Sequence, residues 1–341
     1  MPSSKVTLKT VALHCGYSVN TVSRALRDDP GLPLRTREYI QKAAGELGYI
    51  RNSLASSLRS GKTQEIAIIV DEIQNPYYST LITSIDSILR DKGYIVIILC
   101  YHNDINLVRQ MVSIAISRSV DGVFFFPRNE SQDLAEMIRK NSIPLVLLSR
   151  EIPGFTADIV RFDDFGGGRL AARRFLELGH RRFLYIAGQD SNHSQFLRQS
   201  GFLSALREAS VPESDIRIIR SADMLSAISA GKIKEILSPI DYTALLSYND
   251  EMAYYVVNQL QSEGFQIPHK LSVCGFDCLR QTMPYLPPLS SITGKPEYSI
   301  TKTAVSFLLN RIEHPEIPQQ SAVIPVVLAE ETATMSQVPQ Q

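Results

Sequence analysis

Seven short apolar runs constrain this chain more than any other feature. IAIIV, IVIIL, GVFFF and LVLLS recur between residues 66 and 149, and FLYIA, ALLSY and LSVCG between 183 and 275. Amphipathic helical patterns, such as 194–209 and 250–263, separate them. Runs that are apolar on both faces and alternate with helices read as parallel strands buried between layers of helix. Their number is about twice that of a single doubly wound domain, so two lobes are expected, with a ligand site between them beyond the carboxyl ends of the strands.

The first fifty residues follow a different pattern. In VTLKTVALHCGYSVNTVSRAL (6–26), Ala12, Gly16 and Val22 sit five, nine and fifteen places into a twenty-residue unit counted from Leu8. Two short helices that cross steeply need a small residue where they touch, a glycine in the turn and a β-branched plug under the second helix. Ser18 is the expected cap of that second helix. Ile40, Ala43, Ala44 and Leu47 continue at helical spacing, giving a third helix that starts near Pro33 and stops at Gly48. Charge follows the same division. Residues 1–62 hold ten Lys and Arg against four acids, so the head carries +6 and the remainder −6 of a net zero. Only the head is suited to a polyanion.

Side chains in the first turn of a second helix can reach base edges in the major groove, where all four base pairs are distinguishable. Asn20 fits adenine, Val19 a thymine methyl, and Arg24 guanine or phosphate, with Thr21 beside them. Other chemistries find no support. The cysteines (15, 100, 274, 278) are too scattered for a disulfide framework or a zinc site, so no metal and no cofactor are expected. FGGGRLAARRF (165–175) is neither G-x-G-x-x-G nor a Walker A motif, and no G-x-S-x-G or H-E-x-x-H occurs, so no catalytic residue is assigned. His180 reads as a link at a helix end. No apolar run reaches membrane-spanning length and a signal-peptide core is lacking, so a cytoplasmic protein without a membrane partner is expected. The tail, 330–341, reads as disordered.

TVSRAL (21–26), TREYIQKAAGELGYIRN (36–52), NPYYSTL (75–81), LGHRRFLYIAG (178–188) and LSVCGFD (271–277) together resemble the LacI/GalR, or lactose-repressor type, family of bacterial transcription regulators. The resemblance implies a small all-α helix-turn-helix head (1–50), a hinge (51–63), and an α/β core of two doubly wound lobes like those of periplasmic binding proteins (64–329). Lobe 1 would comprise about 64–162 and 294–322, and lobe 2 about 163–293 and 323–329. It further implies a homodimer on a pseudo-palindromic double-stranded DNA operator, repressing a carbohydrate-related operon under a small polar effector such as a sugar or sugar derivative. The alternative is a solute-binding or enzymatic α/β protein without a DNA role.

By the same resemblance Thr7 and Ser23 join Ser18, Val19, Asn20, Thr21 and Arg24 at DNA, and Asn52, Ala55 and Leu58 act from the hinge. There Arg51 replaces the family's proline and Ser56 its arginine, and Arg59 can supply part of the lost phosphate contact. Tyr77, Tyr78, Ser149, Arg198, Asn249 and Asp277 fall at effector-binding positions. One of the two tyrosines is expected to pack under its helix. Arg198 and Asp277 are expected to face each other across the cleft. Ser149 stands where many sugar-binding members have Asp, which suggests room for an anionic ligand, a sugar phosphate or acid. In the hinge, Leu58 would wedge into the minor groove and bend the operator. Leu58→Ala should therefore reduce bending in a gel-shift phasing assay, and equal bending by both chains would refute the wedge.

Overall fold

The computed structural model describes residues 6–50, 61–102, 104–127, 131–188, 193–237, 242–330 and 332–338. Asn52, Ala55 and Leu58, the hinge assignments, lie outside the described residues. The chain divides into two compact units, Met1–Thr63 and Gln64–Gln341.

In the first unit α1 (Leu8–Cys15) opens with a reciprocal cap: the Thr7 hydroxyl accepts the Thr10 amide and the Thr10 hydroxyl accepts the Thr7 amide. Gly16 ends it at φ +71°, a conformation that costs glycine nothing. α2 (Val19–Ala25) begins at Ser18, whose Oγ accepts the Thr21 amide at 3.1 Å. α3 (Leu34–Glu46) follows Pro33. Val11, Ala12, Val22, Ala25, Ile40 and Ala43 close the small core.

The second unit runs β1 (Glu65–Val70), α4 (Pro76–Arg90), β2 (Ile95–Cys100), α5 (Ile105–Ser117), β3 (Gly122–Phe125), α6 (Gln132–Lys140), β4 (Leu145–Leu148) and β5 (Asp158–Phe162). It continues α7 (Asp164–Glu177), β6 (Phe183–Ala187), α8 (His193–Glu208), β7 (Ile216–Arg220), α9 (Ser221–Ser229), α10 (Ile233–Leu237), β8 (Ala244–Ser247), α11 (Asp250–Ser262) and β9 (Ser272–Phe276). The last elements are β10 (Ser291–Gly294), α12 (Ile300–Glu313), β11 (Ser321–Ile324) and β12 (Val326–Ala329). Among the described residues two six-stranded sheets form, ordered β11-β5-β4-β3-β1-β2 and β12-β10-β9-β8-β6-β7. Pairing is parallel except where β12 runs against β10. Each sheet has a buried apolar layer on both faces, the origin of the unbroken apolar runs.

β11 places Val323 and Ile324 in the first sheet, so the last crossing falls at Pro325, not between 322 and 323. The larger correction concerns the tail. Residues 332–338 pack on the second lobe. Met335 is 3% exposed, the Thr334 hydroxyl donates to the Val273 carbonyl at 2.7 Å, and the Val273 amide donates to the Thr334 carbonyl at 2.7 Å. A polar composition is compatible with order here because these polar groups satisfy backbone groups of the lobe.

His180 links this segment to the lobe. Its Nε2 lies 3.0 Å from the Ser336 carbonyl, an acceptor, so Nε2 carries the proton and Nδ1 accepts from the Thr243 hydroxyl at 3.0 Å. Burial depresses the imidazole pKa. The neutral ring is thus the folded form, and its stabilisation, complete above about pH 6.5, is lost as pH falls through the depressed folded pKa. Unfolding free energy measured by urea titration should decline on acidification below about pH 6.5, and His180→Gln should flatten that dependence.

Candidate functional site

In the first unit the start of α2 presents Val19, 47% exposed, and Asn20, also exposed. Thr21 is half-buried, and its hydroxyl shares a 2.8 Å hydrogen bond with Ser18 Oγ. Ser18 and Thr7 are exposed cap residues with their hydroxyls already engaged. Two assignments move. Ser23 is 9% exposed, its side chain withdrawn from solvent. Arg24 is turned back on its own unit, Nε donating to Asp29 Oδ2 at 2.7 Å while Asp29 Oδ1 accepts the Gly31 amide. Arg24 therefore clamps the loop after α2 instead of extending from the helix. Tyr17, 40% exposed beside Val19 and leaning on Tyr39, was not singled out from sequence.

In the second unit the strand ends of both sheets border a cavity of about 250 Å³. All six sequence-assigned residues line it: Tyr77, Tyr78, Ser149, Arg198, Asn249 and Asp277. Lobe 1 supplies the tyrosines. Asn75 caps α4 by accepting the Tyr77 amide, and Pro76 starts the helix, so both rings emerge at its first turn. Tyr78 is the packed one, 8% exposed and edge-on to Phe126. Its hydroxyl accepts from Arg150 at 2.9 Å. The Tyr77 hydroxyl meets Ser149 Oγ at 2.6 Å, so the serine is occupied by a tyrosine. Ser149 has φ +66°, uncommon for a residue other than glycine.

Lobe 2 supplies the polar centre. Arg198 and Asp277 do not face each other across the cleft. Both belong to lobe 2 and pair directly, Nη2 to Oδ1 at 3.3 Å. Arg198 Nε donates to Asp164 Oδ1 at 2.7 Å, Nη1 to the Tyr248 carbonyl at 2.6 Å, and the guanidinium stacks on Phe276 at 4.3 Å. Burial works against the arginine's charge, but Asp164 and Asp277 outweigh it and hold the group firmly protonated. The placement of Arg198 depends on glycines. A Cβ on Gly168 of α7 would lie 2.0 Å from the Arg198 carbonyl, and one on Gly201 of α8 would lie 2.0 Å from the Phe165 carbonyl. The apparent phosphate-loop glycines thus let α7 and α8 touch backbone to backbone.

Asp277 stands on a turn with φ +96°, followed by Cys278 at +49°. Buried Asp250, first residue of α11, holds that turn: Oδ2 accepts the Leu279 amide at 2.9 Å, and Oδ1 accepts the Ser291 hydroxyl at 2.7 Å. Ser291 Oγ in turn accepts the Cys278 amide. Asn249 caps α11 by accepting the Met252 amide at 3.0 Å, and its side chain also hydrogen-bonds the Tyr248 hydroxyl. Asp164, Arg150 and Asp250, which hold the cleft residues in place, are the side chains that sequence reasoning missed. The only trace was the acidic pair Asp163-Asp164 ahead of the glycines.

Residues 7–52 match the model for bacterial regulatory proteins of the lacI family, and residues 172–331 a periplasmic binding protein-like domain. The HTH-type transcriptional regulator DegA of Bacillus subtilis (strain 168) is 31% identical over 293 residues, covering 84% of this chain and 86% of DegA. The chain belongs to the lacI family of bacterial regulatory proteins. It is a DNA-binding transcription regulator, and the family is not one of enzymes. The lac repressor dimer bound to operator and the anti-inducer ONPF shares the fold, with TM-score 0.83 and 24% identity, covering 98% of this chain and 100% of that one. A lacI-family transcriptional regulator from Enterococcus faecium with bound ribose has TM-score 0.69 and 26% identity over 81% of this chain and 100% of its own. No described helix is long and apolar enough to cross a membrane.

Because Arg198 is the cation paired with two carboxylates that are themselves largely buried, its removal strands both. Arg198→Ala should cost about 3–5 kcal/mol in chemical unfolding, and adding Asp164→Asn and Asp277→Asn should recover much of that loss.

Proposed function

We propose that this regulator is a repressor that binds a pseudo-palindromic operator as a dimer and answers to a small hydroxyl-rich effector, a sugar or sugar derivative, held between its lobes. One observation carries the effector reading. One cavity is lined by hydrogen-bonding side chains from both lobes, Tyr77, Tyr78 and Ser149 from one and Arg198, Asn249 and Asp277 from the other. Vicinal hydroxyls both donate and accept, which suits a guanidinium flanked by carboxylates, and the flat tyrosine ring suits the C–H face of a sugar. The ribose bound by the Enterococcus faecium relative supports the same class. A molecule bonded to both lobes changes the free energy of one lobe orientation relative to another, which is the requirement for coupling to DNA.

At the head, exposed Val19 and Asn20 at the N-terminal turn of α2 support direct reading of base edges. Asn20→Ala should cost about 1–3 kcal/mol on the preferred operator and relax the preference at one base pair. Selection from randomised duplexes checks this: an unchanged base preference would sink the assignment, and selected sites without two related half-sites would sink the dimeric reading.

A further inference from the structure

We infer that the effector carries an apolar group about the size of a benzene ring, seated in a second cavity that adjoins the polar cleft where the chain passes between the lobes. The inference rests on the reading of the cleft as an effector site.

The second cavity has a volume of about 150 Å³. Protein interiors leave few voids larger than a water molecule, so a space of this size beside a ligand cleft calls for an occupant. Its apolar walls are Leu81 and Phe162 from lobe 1 and Phe276, Leu279, Ile292 and Val326 from lobe 2. Leu81, Phe276, Leu279 and Ile292 are buried. A buried water needs about three hydrogen-bond partners, which these six side chains do not supply. An apolar cavity of about 150 Å³ takes up benzene, and that sets the size of the group that fits here.

The cavity is continuous with the cleft. Tyr77, Phe162, Asp164, Arg198 and Asp277 line both spaces, so a molecule with its hydroxyls in the cleft has only this row of side chains to pass before it meets the apolar walls. Beyond that row stands the turn at Asp277 and Cys278, whose positive φ values are held by buried Asp250 and Ser291. Backbone strain of this kind collects at ligand-facing positions. Thr80 of lobe 1 and Thr282 of lobe 2 also line the cavity and are bonded to each other at 3.4 Å, so its walls meet across the lobes. An apolar group held there is fully withdrawn from water only while the two lobes stay together. It therefore favours that orientation and adds to the coupling between effector and lobe arrangement.

Two measurements on the full chain test this. First, pentoses and hexoses, each bare and with a methyl or a phenyl group on each hydroxyl in turn, are titrated against the operator complex by fluorescence anisotropy and against the free chain by thermal shift. One phenyl derivative should bind at least about 10-fold more tightly than its bare sugar and the matching methyl derivative. A bare sugar that binds, with no phenyl derivative tighter, overturns the inference and leaves the polyol reading intact. If no sugar or derivative binds, the polyol reading fails, and the second measurement decides the cavity. Benzene alone is added to the wild type, to Val326→Phe and to Thr80→Phe, which fill the cavity from lobe 2 and from lobe 1. The wild type should gain about 2 °C or more in Tm, and each variant that melts cooperatively should gain less than half of that. No gain in the wild type, or an equal gain in all three chains, would show that the cavity takes no apolar group and would overturn the inference.

Discussion

A buried guanidinium shared by two carboxylates sets the geometry of the cleft. Arg198 leaves α8, Asp164 starts α7 and Asp277 ends the turn after β9, so a single cation ties three elements of lobe 2 to one point. Charges this deeply buried persist only when paired, because the desolvation of each must be offset by the others and by further hydrogen bonds. The Tyr248 carbonyl and the Phe276 ring provide the remaining contacts. What lobe 2 presents to the cleft is consequently a charge-paired surface in which the arginine is held by two carboxylates, not a free arginine.

That surface depends on residues with no chemistry of their own. Gly168 and Gly201 bring α7 and α8 into backbone contact, and any side chain at either position would collide with a carbonyl. The helices would separate and Arg198 would withdraw from Asp164. Ser291 and Asp250, a layer below, hold Asp277 and Cys278 at positive φ, uncommon for residues other than glycine. Strain at the ligand-facing turn is thus borne by a buried hydrogen-bonded carboxyl group.

The sequence made legible whatever is encoded by local spacing. The small, glycine and β-branched positions at 12, 16 and 22 fixed the crossing of α1 and α2, and apolar runs marked strands buried on both faces. The pocket residues at 77, 78, 149, 198, 249 and 277 were identified through motif resemblance. Their partners were not. Asp164 lies 34 residues from Arg198, and Arg150 lies 72 residues from Tyr78, so no periodicity connects them. The same limit explains Arg24, whose partner Asp29 lies beyond the helix, and the tail, where Met335, Thr334 and Ser336 are ordered by β9 and His180 and not by their neighbours. Composition reports a segment's own capacity to bury surface; it is silent about a lobe that lends it a groove.

The chain passes between the lobes three times, after Phe162, after Gly294 and at Pro325. These crossings are bonded to one another: the Asp163 amide donates to the Ile324 carbonyl at 3.0 Å and the Lys295 amide to the Pro325 carbonyl at 2.9 Å. Gly294 packs so closely on Phe162 that a Cβ there would lie 2.6 Å from the ring. Three tethers joined into one ribbon remove sliding and twisting but leave a hinge-like opening, since each can absorb a small φ/ψ change together with the others. Away from the hinge, direct bonds between the lobes among the described residues include the Ser194 hydroxyl to the Ser149 carbonyl at 3.1 Å and Thr80 to Thr282 at 3.4 Å. A ligand that adds even two good hydrogen bonds, each worth about 1 kcal/mol net, shifts the balance between lobe orientations about tenfold or more.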